Sequence, residues 1–129
     1  MKKVFTNGCF DVIHRAHIEL FQYCRSLGDI VIVGINSDKS VQRLKGPSRP
    51  INNQEDRRAV LKALRCVDYV FVFEENTPYS LIKTVSPAII VKGGDYTIQE
   101  VVGNDLAEVK IFNYLDGYST TNILERGKQ

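Results

Sequence analysis

Short runs of β-branched and aromatic residues alternate along this chain with stretches whose apolar residues recur at helical spacing. Lys3 to Thr6 predicts a short strand that ends in the turn signal Asn7-Gly8. Ile30 to Asn36 is a β-branched run of the kind that is buried on both faces of a parallel sheet. Tyr69 to Phe73, Ala88 to Val91 and Val109 to Phe112 predict three further strands. Between the first two, Ile18, Leu20, Phe21, Cys24 and Leu27 fall on one helical face, with Gly28 placed to stop the helix. Val60, Leu61, Leu64 and Val67 predict a second helix after the polar opening Asn52-Asn53-Gln54-Glu55. Leu81, Ile82 and Val85 predict a third, with Thr77 and Pro78 as cap and first turn and Pro87 as its end. Ser119 is placed to open a last short helix.

Strand and helix in alternation predict an α/β fold: a parallel sheet with helices on its faces, and ligands at the carboxyl ends of the strands. The 129 residues, 43% of them hydrophobic, fit one domain over 1–129 with its own core. The longest apolar stretch, Ile30 to Ile35, is far too short to span a bilayer, so no membrane partner is expected.

Charge narrows the classes further. Seventeen basic against fifteen acidic residues leave a net charge of +2, too balanced for the footprint of a nucleic-acid binder. Met1-Lys2-Lys3 imitates the start of an export signal, but Thr6, Asn7 and Gly8 interrupt the apolar run at once, which favours a cytoplasmic location. The three cysteines, Cys9, Cys24 and Cys66, lack the paired spacing of a zinc or redox motif and read as reduced thiols. Cys9 reads as a small buried hydrophobe beside the first turn.

Both histidines of the chain fall in that turn, Asn7-Gly8-Cys9-Phe10-Asp11-Val12-Ile13-His14-Arg15-Ala16-His17. With His14 at the start of the first helix, His17 follows one turn later, so both imidazoles address one ligand. The helix N-terminus adds free N–H groups and the positive end of its dipole, which suits phosphate. The same residues also fit a helix cap with a packed ring beside it. They further fit two ligands of a zinc centre, for which the chain identifies no third.

Gly8-x-Phe10-Asp11-x-x-His14-x-x-His17 resembles the signature of the cytidylyltransferase-like nucleotidyltransferases, G-x-F-D-x-x-H-x-G-H. Further segments resemble the adenylyltransferase domains of ADP-heptose synthases: Asn36-Ser37-Asp38, Arg43-Leu44-Lys45-Gly46, Ser48-Arg49-Pro50, Glu55-x-Arg57, Val91 to Tyr96, and Asp116 to Ile123. The resemblance implies a Rossmann-like three-layer sandwich with a five-stranded parallel sheet, and a homodimer. It implies transfer of AMP from ATP to a sugar phosphate such as heptose 1-phosphate, with release of pyrophosphate. His14, His17 and Lys45 would be catalytic. Asn7, Gly8, Cys9, Phe10, Asp11, Arg57, Lys92, Gly93, Gly94, Asp95, Ser119, Thr120 and Thr121 would bind the nucleotide. Mg²⁺ would arrive with the triphosphate, and no protein side chain is expected to ligate a metal. A cytidylyltransferase acting on glycerol 3-phosphate, and a nucleotide-binding module without turnover, are the alternatives.

The matched segments also make chemical sense alone. Lys45, with Arg43 and Arg49, reads as a flexible basic loop able to neutralise a triphosphate, or as a solvated loop. Gly93-Gly94 follows a strand where bare backbone lets a base or ribose approach, and Asp95 offers an acceptor. Ser119-Thr120-Thr121 reads as a capped helix start aimed at phosphate, or simply as an N-cap. Asp11 reads as a structural residue that orients the histidine turn. Ala16 stands where the resembled motif has glycine, so a methyl is expected in the phosphate turn, with activity retained.

Overall fold

The computed structural model describes residues 1–94 and 96–113. Five parallel strands form one sheet: β1 (Lys3–Gly8), β2 (Ile30–Asn36), β3 (Tyr69–Phe73), β4 (Ile89–Gly93) and β5 (Glu108–Phe112), in the order β3-β2-β1-β4-β5. The chain steps outward from β1 to β3, then returns to the other side of β1 for β4 and β5. That reversal puts a topological switch point between β1 and β4, where ligands enter such sheets.

Helices cover both faces, giving three layers. On one face α1 (Arg15–Leu27) and α3 (Gln54–Lys62) bury Leu20, Phe21, Cys24 and Leu61 against Val4, Val31, Val33, Ile35 and Val91. On the other, Ile82 of α4 (Tyr79–Val85) and Val101 pack on Phe5, Ile32, Ile90 and Val109. The central strands are apolar on both faces because both faces are covered. β3 lies at an edge, and Tyr69 and Phe71 remain exposed and stacked there, ring centroids 6.3 Å apart. No helix among the described residues is long and apolar enough to cross a membrane.

Two local expectations change, and one short element is added. Asp38–Lys45 forms a helix, α2, capped by Ser37, so Lys45 ends a helix rather than riding on a flexible loop. Ser37 accepts from the Ser40 N–H and Asp38 opens the first turn, a start signal hidden by the polar composition of the segment. Pro78, not Thr77, occupies the N-cap of α4, and no side chain caps it. The segment before β5 contains a short 3₁₀ turn, Ile98–Glu100, bracketed by Thr97 and Glu100 hydrogen bonds.

Arg57 is the largest correction. It is 1% exposed, and its guanidinium donates to the carbonyls of Asn52, Cys9 and Asn36 and to Asp38 Oδ1, at 2.8–3.0 Å. It contacts neither Glu55 nor Asp56 as an ion-pair partner, and its donors are committed to protein rather than to a nucleotide. A planar fork with several fixed donors can serve these carbonyls together, which an ammonium cannot. Arg57→Lys is therefore expected to lower stability by roughly 2–4 kcal/mol in urea or thermal unfolding, since buried carbonyls lose their donors. An unchanged midpoint would exclude the clamp.

Candidate active site

The carboxyl ends of β1, β2 and β4 open into a cleft of about 410 Å³ at the switch point. Asn7, Gly8 and Cys9 form its floor, Lys45 and Leu44 of α2 one wall, Asn76, Thr77 and Pro78 a second. Lys92, Tyr96, Glu100, Val101 and Val102 complete it from the β4 side. Asn36 knits the strand ends together. Its amide donates to Ser40 Oγ at 3.0 Å, Ser40 Oγ donates to the Glu75 carbonyl, and the Cys9 thiol donates to Asn36 Oδ1 at 3.7 Å. Cys9 is thus half-buried at the cleft rather than a core hydrophobe.

The turn after β1 is shaped by Phe10. Its φ of +48° lies in the left-handed region, unusual for a non-glycine residue. The strain is offset by burial: the ring packs on Phe21 and meets His17 edge-on at 5.2 Å. A side chain at Gly8 would come within 3.2 Å of that ring, so a larger residue there would require the ring to shift by a few tenths of an ångström. Phe10 accordingly acts from beneath and does not line the cleft.

His14 is the N-cap of α1. Its Nδ1 accepts from the Ala16 N–H at 3.3 Å, while His17 Nδ1 accepts from the His14 N–H at 3.3 Å. The rings lie 3.9 Å apart and nearly face to face. An accepting Nδ1 fixes the proton of each neutral imidazole on Nε2. The cap and the phosphate site are therefore compatible, because they use different nitrogens of the same rings. Burial, then the neighbouring His14 and Lys45 charges, push the His17 pKa from 6.5 down to about 4. Lys45 is thus close enough to act on His17 electrostatically, although neither histidine lines the cleft itself.

Ala16 is fully buried, so its methyl enters the core and not the phosphate turn as expected. Asp11 is 3% exposed and has the structural role expected of it, though its partners lie outside the histidine turn. It ties that turn to the loop before α3, accepting from the Ile51 and Asn52 N–H groups at 2.7 and 2.8 Å and from Arg49 Nε at 3.2 Å. Burial works to raise its pKa, but these backbone donors and Arg49 outweigh it and hold the pKa below the usual value. Arg43 is bound to Asn76 Oδ1 and the Glu74 carbonyl. Of the three basic residues read as an arm, only Lys45 lines the cleft. Phe10, Asp11 and Arg57 instead line a separate hollow of about 250 Å³ beside α3.

Lys92 reaches across the end of β1 to the Asn7 carbonyl at 3.5 Å, with its ammonium 5.2 Å from the centre of the Tyr96 ring. Burial lowers its pKa; the Cys9 thiol opposes and the Lys45 charge adds to that lowering. Gly93 ends β4, and Gly94 takes φ +105° while donating to the Phe112 carbonyl. Asp95, Ser119, Thr120 and Thr121 lie outside the described residues. Tyr96, Asn76, Thr77 and Glu100 line the cleft without being among the site residues expected from sequence, Thr77 being expected only as a helix cap. Tyr96 belonged to a matched segment, and Asn76 and Thr77 carry only the general signal of a loop following a strand.

A doubly wound sheet with a cationic cleft at its switch point, beside a helix N-terminus bearing two histidines, defines a nucleotide-binding α/β domain. The chain belongs to the cytidylyltransferase-like family, whose profile matches residues 5–126. It is a nucleotidyltransferase enzyme. It is 55% identical over 126 residues to the bifunctional protein HldE of Aliarcobacter butzleri, and 58% identical over 124 residues to that of Nitratiruptor sp.. These matches cover 97% and 95% of this chain but 26% and 27% of the relatives, so the chain spans about a quarter of their length. Among solved structures it resembles the lipopolysaccharide core biosynthesis protein of Thermoplasma volcanium, with TM-score 0.74, 28% identity and coverage of 89% of this chain and 97% of that one. Pantothenate synthetase from Thermus thermophilus shares the fold, with TM-score 0.68 at 19% identity and coverage of 99% and 64%.

Two outcomes follow for the histidine helix. An ¹⁵N NMR titration should show His17 neutral at pH 6 and titrating near 4. Because the folded protein then binds fewer protons than the unfolded chain, His17 contributes stability above pH 6.5 that is lost as pH falls toward about 4. His17 titrating near 6.5 would refute this. Ala16→Gly should cost about 1–2 kcal/mol of stability through the lost buried methyl and helix propensity, with turnover retained. Equal stability with faster turnover would show that the methyl faces phosphate after all.

Proposed function

We propose that the chain transfers AMP from ATP to a sugar phosphate, with heptose 1-phosphate the leading acceptor, and releases pyrophosphate. The observation that carries this reading is that Lys45, which lines the switch-point cleft, lies near enough to the histidine pair at the start of α1 for its charge to act on His17, although neither histidine lines the cleft itself. An oxygen of the acceptor phosphate attacks the α-phosphorus, and the bond from that phosphorus to the bridging oxygen breaks as pyrophosphate leaves. The acceptor phosphate is already ionised, so no strong base is needed. Nε2–H of His14 and His17 and the Lys45 ammonium would stabilise charge on the pentacoordinate phosphorus.

Asn7, Gly8 and Cys9 offer backbone at the cleft floor, and Gly93-Gly94 bare backbone beside it, for the nucleoside. Ser119, Thr120 and Thr121 are proposed for the β- and γ-phosphates, and Asp95 for the nucleoside, on the sequence resemblance. Among the described residues no group of three or more His, Cys, Asp or Glu side chains is placed to hold a metal ion. Mg²⁺ is proposed to arrive with the triphosphate as part of the substrate, where it would shield the leaving charge. A homodimer is proposed as well, supported by the exposed Tyr69–Phe71 pair on the open edge strand β3.

Pyrophosphate release measured with ATP or CTP against a panel of sugar and polyol phosphates tests the reading. ATP with heptose 1-phosphate is expected to be the best pair. Preference for CTP with glycerol 3-phosphate would replace it, and tight ATP binding without turnover would indicate a non-catalytic module. His14→Asn and His17→Asn should each lower kcat by roughly 10²–10³-fold, the usual scale for one lost transition-state donor.

A further inference from the structure

The cleft has two cationic poles, and the reaction has two anionic reactants. Lys45 enters the cleft from the end of α2, and its charge acts on His17. Lys92 projects from β4 on the opposite side, where its neighbours are Tyr96, Glu100, Val101 and Val102. These residues come from the connection between β4 and β5 and from the end of β4, and none belongs to the histidine turn.

The Lys92 ammonium is poorly used by the protein itself. Its one hydrogen bond among the described residues is a long contact to the Asn7 carbonyl at 3.5 Å, leaving donors directed at the cleft. No carboxylate forms an ion pair with it among the described residues; Glu100, the acidic residue of the cleft wall, bonds instead to Thr97. A half-buried ammonium in a cleft with so little compensation suits an anion as ligand.

Tyr96 beside it is 44% exposed and lines the cleft. An exposed aromatic face next to a phosphate-binding cation suits a monosaccharide phosphate, whose ring C–H groups pack on the π face while its phosphate meets the ammonium. The Glu100 carboxylate stands on the same wall, as an acceptor for sugar hydroxyls.

We infer that Lys92 and Tyr96 form the acceptor subsite, Lys92 holding the phosphate of the sugar and Tyr96 its ring, while Lys45 and the histidine helix hold the triphosphate. This rests on the transferase reading and departs from the sequence expectation, which grouped Lys92 with the nucleotide contacts. It gives acceptor choice to the β4–β5 connection. With the two phosphates held from opposite walls, the attacking oxygen approaches the α-phosphorus from the side away from the leaving pyrophosphate, as in-line displacement requires.

Binding and turnover are measured separately, so that the two readings fail separately. Calorimetry with a non-hydrolysable ATP analogue, and independently with heptose 1-phosphate and mannose 1-phosphate, is run on the full chain and on Lys92→Met, Lys92→Arg, Tyr96→Ala and Tyr96→Phe, each first checked for an unchanged melting temperature. Lys92→Met should weaken sugar-phosphate binding and raise the acceptor KM roughly tenfold to a hundredfold, the scale of one charged hydrogen bond. Its affinity for the ATP analogue should stay within about twofold, since Lys45 and the histidine helix supply the triphosphate contacts. Lys92→Arg should recover most of the loss. Tyr96→Ala should cost about threefold to tenfold in acceptor affinity alone, and Tyr96→Phe little, because the aromatic face is retained. A larger loss of ATP-analogue binding than of sugar-phosphate binding in Lys92→Met overturns the assignment, as does an unchanged acceptor affinity. Wild-type protein that binds sugar phosphate through Lys92 yet releases no pyrophosphate upholds the subsite and sinks the transferase reading. Wild-type protein that turns over with Lys92→Met unaltered does the reverse.

Discussion

The buried Arg57 guanidinium is the constraint on which the site geometry depends. The ends of β1 and β2 and the loop before α3 each leave a carbonyl pointing inward, at Cys9, Asn36 and Asn52, and one side chain satisfies all three. Asp38 at the start of α2 supplies the counter-charge at 2.9 Å. Removing the cation would leave several buried acceptors and a carboxylate without their donor, each a cost on the scale of a lost hydrogen bond or more. Asp11 performs the complementary task from the other side, binding the N–H groups of Ile51 and Asn52. An arginine and an aspartate in a nucleotide-binding motif thus act here by holding loops in register, one serving acceptors and the other donors.

That rigid base explains how the histidine turn keeps a strained backbone. Phe10 holds a left-handed φ that costs roughly 1–3 kcal/mol for a residue with a side chain. Its ring fills the space under His17 and against Phe21, so the cost is met by burial in the core. The strained turn delivers the chain to the start of α1 with His14 at the cap. Each imidazole then spends Nδ1 on the helix N-terminus and keeps its proton on Nε2. Structural and chemical readings of the pair are two ends of one ring.

Periodicity made the sheet legible because parallel strands buried on both faces carry little but apolar β-branched residues, as Ile30–Asn36 does. It missed α2 because Asp38–Lys45 buries only Ser40 and Val41, too few apolar positions to show a helical face. The histidine motif located the site, since both histidines lie in one turn. It could not separate residues that face the cleft from those that brace it. Arg57 and Asp11 are charged, and charge in a sequence reads as exposure; their burial follows from carbonyls and N–H groups brought together only by the fold. Ala16 shows the same limit, because its methyl points to the core and helix phase alone did not reveal that. Lys92 and Tyr96 share a strand end and its loop, yet their meeting at 5.2 Å depends on how the chain turns through Gly94 at φ +105°.

The charges of the ligand-free cleft repel one another, and this bears on how it works. Burial lowers the pKa of both His17 and Lys92, and the Lys45 charge adds to it in each case. Burial first, then the neighbouring His14 and Lys45 charges, hold the His17 pKa near 4, so His17 stays neutral. A triphosphate reverses the balance: its charge favours every cation and every N–H donor in the cleft, and it does so most strongly where water is excluded. The repulsion present before binding is relieved by the substrate, so the positive potential needs little reorganisation when negative charge develops at the α-phosphorus. Lys45 comes from the end of α2 and Lys92 from β4, so the fold supplies two separate cations to one cleft that must hold two phosphorylated reactants.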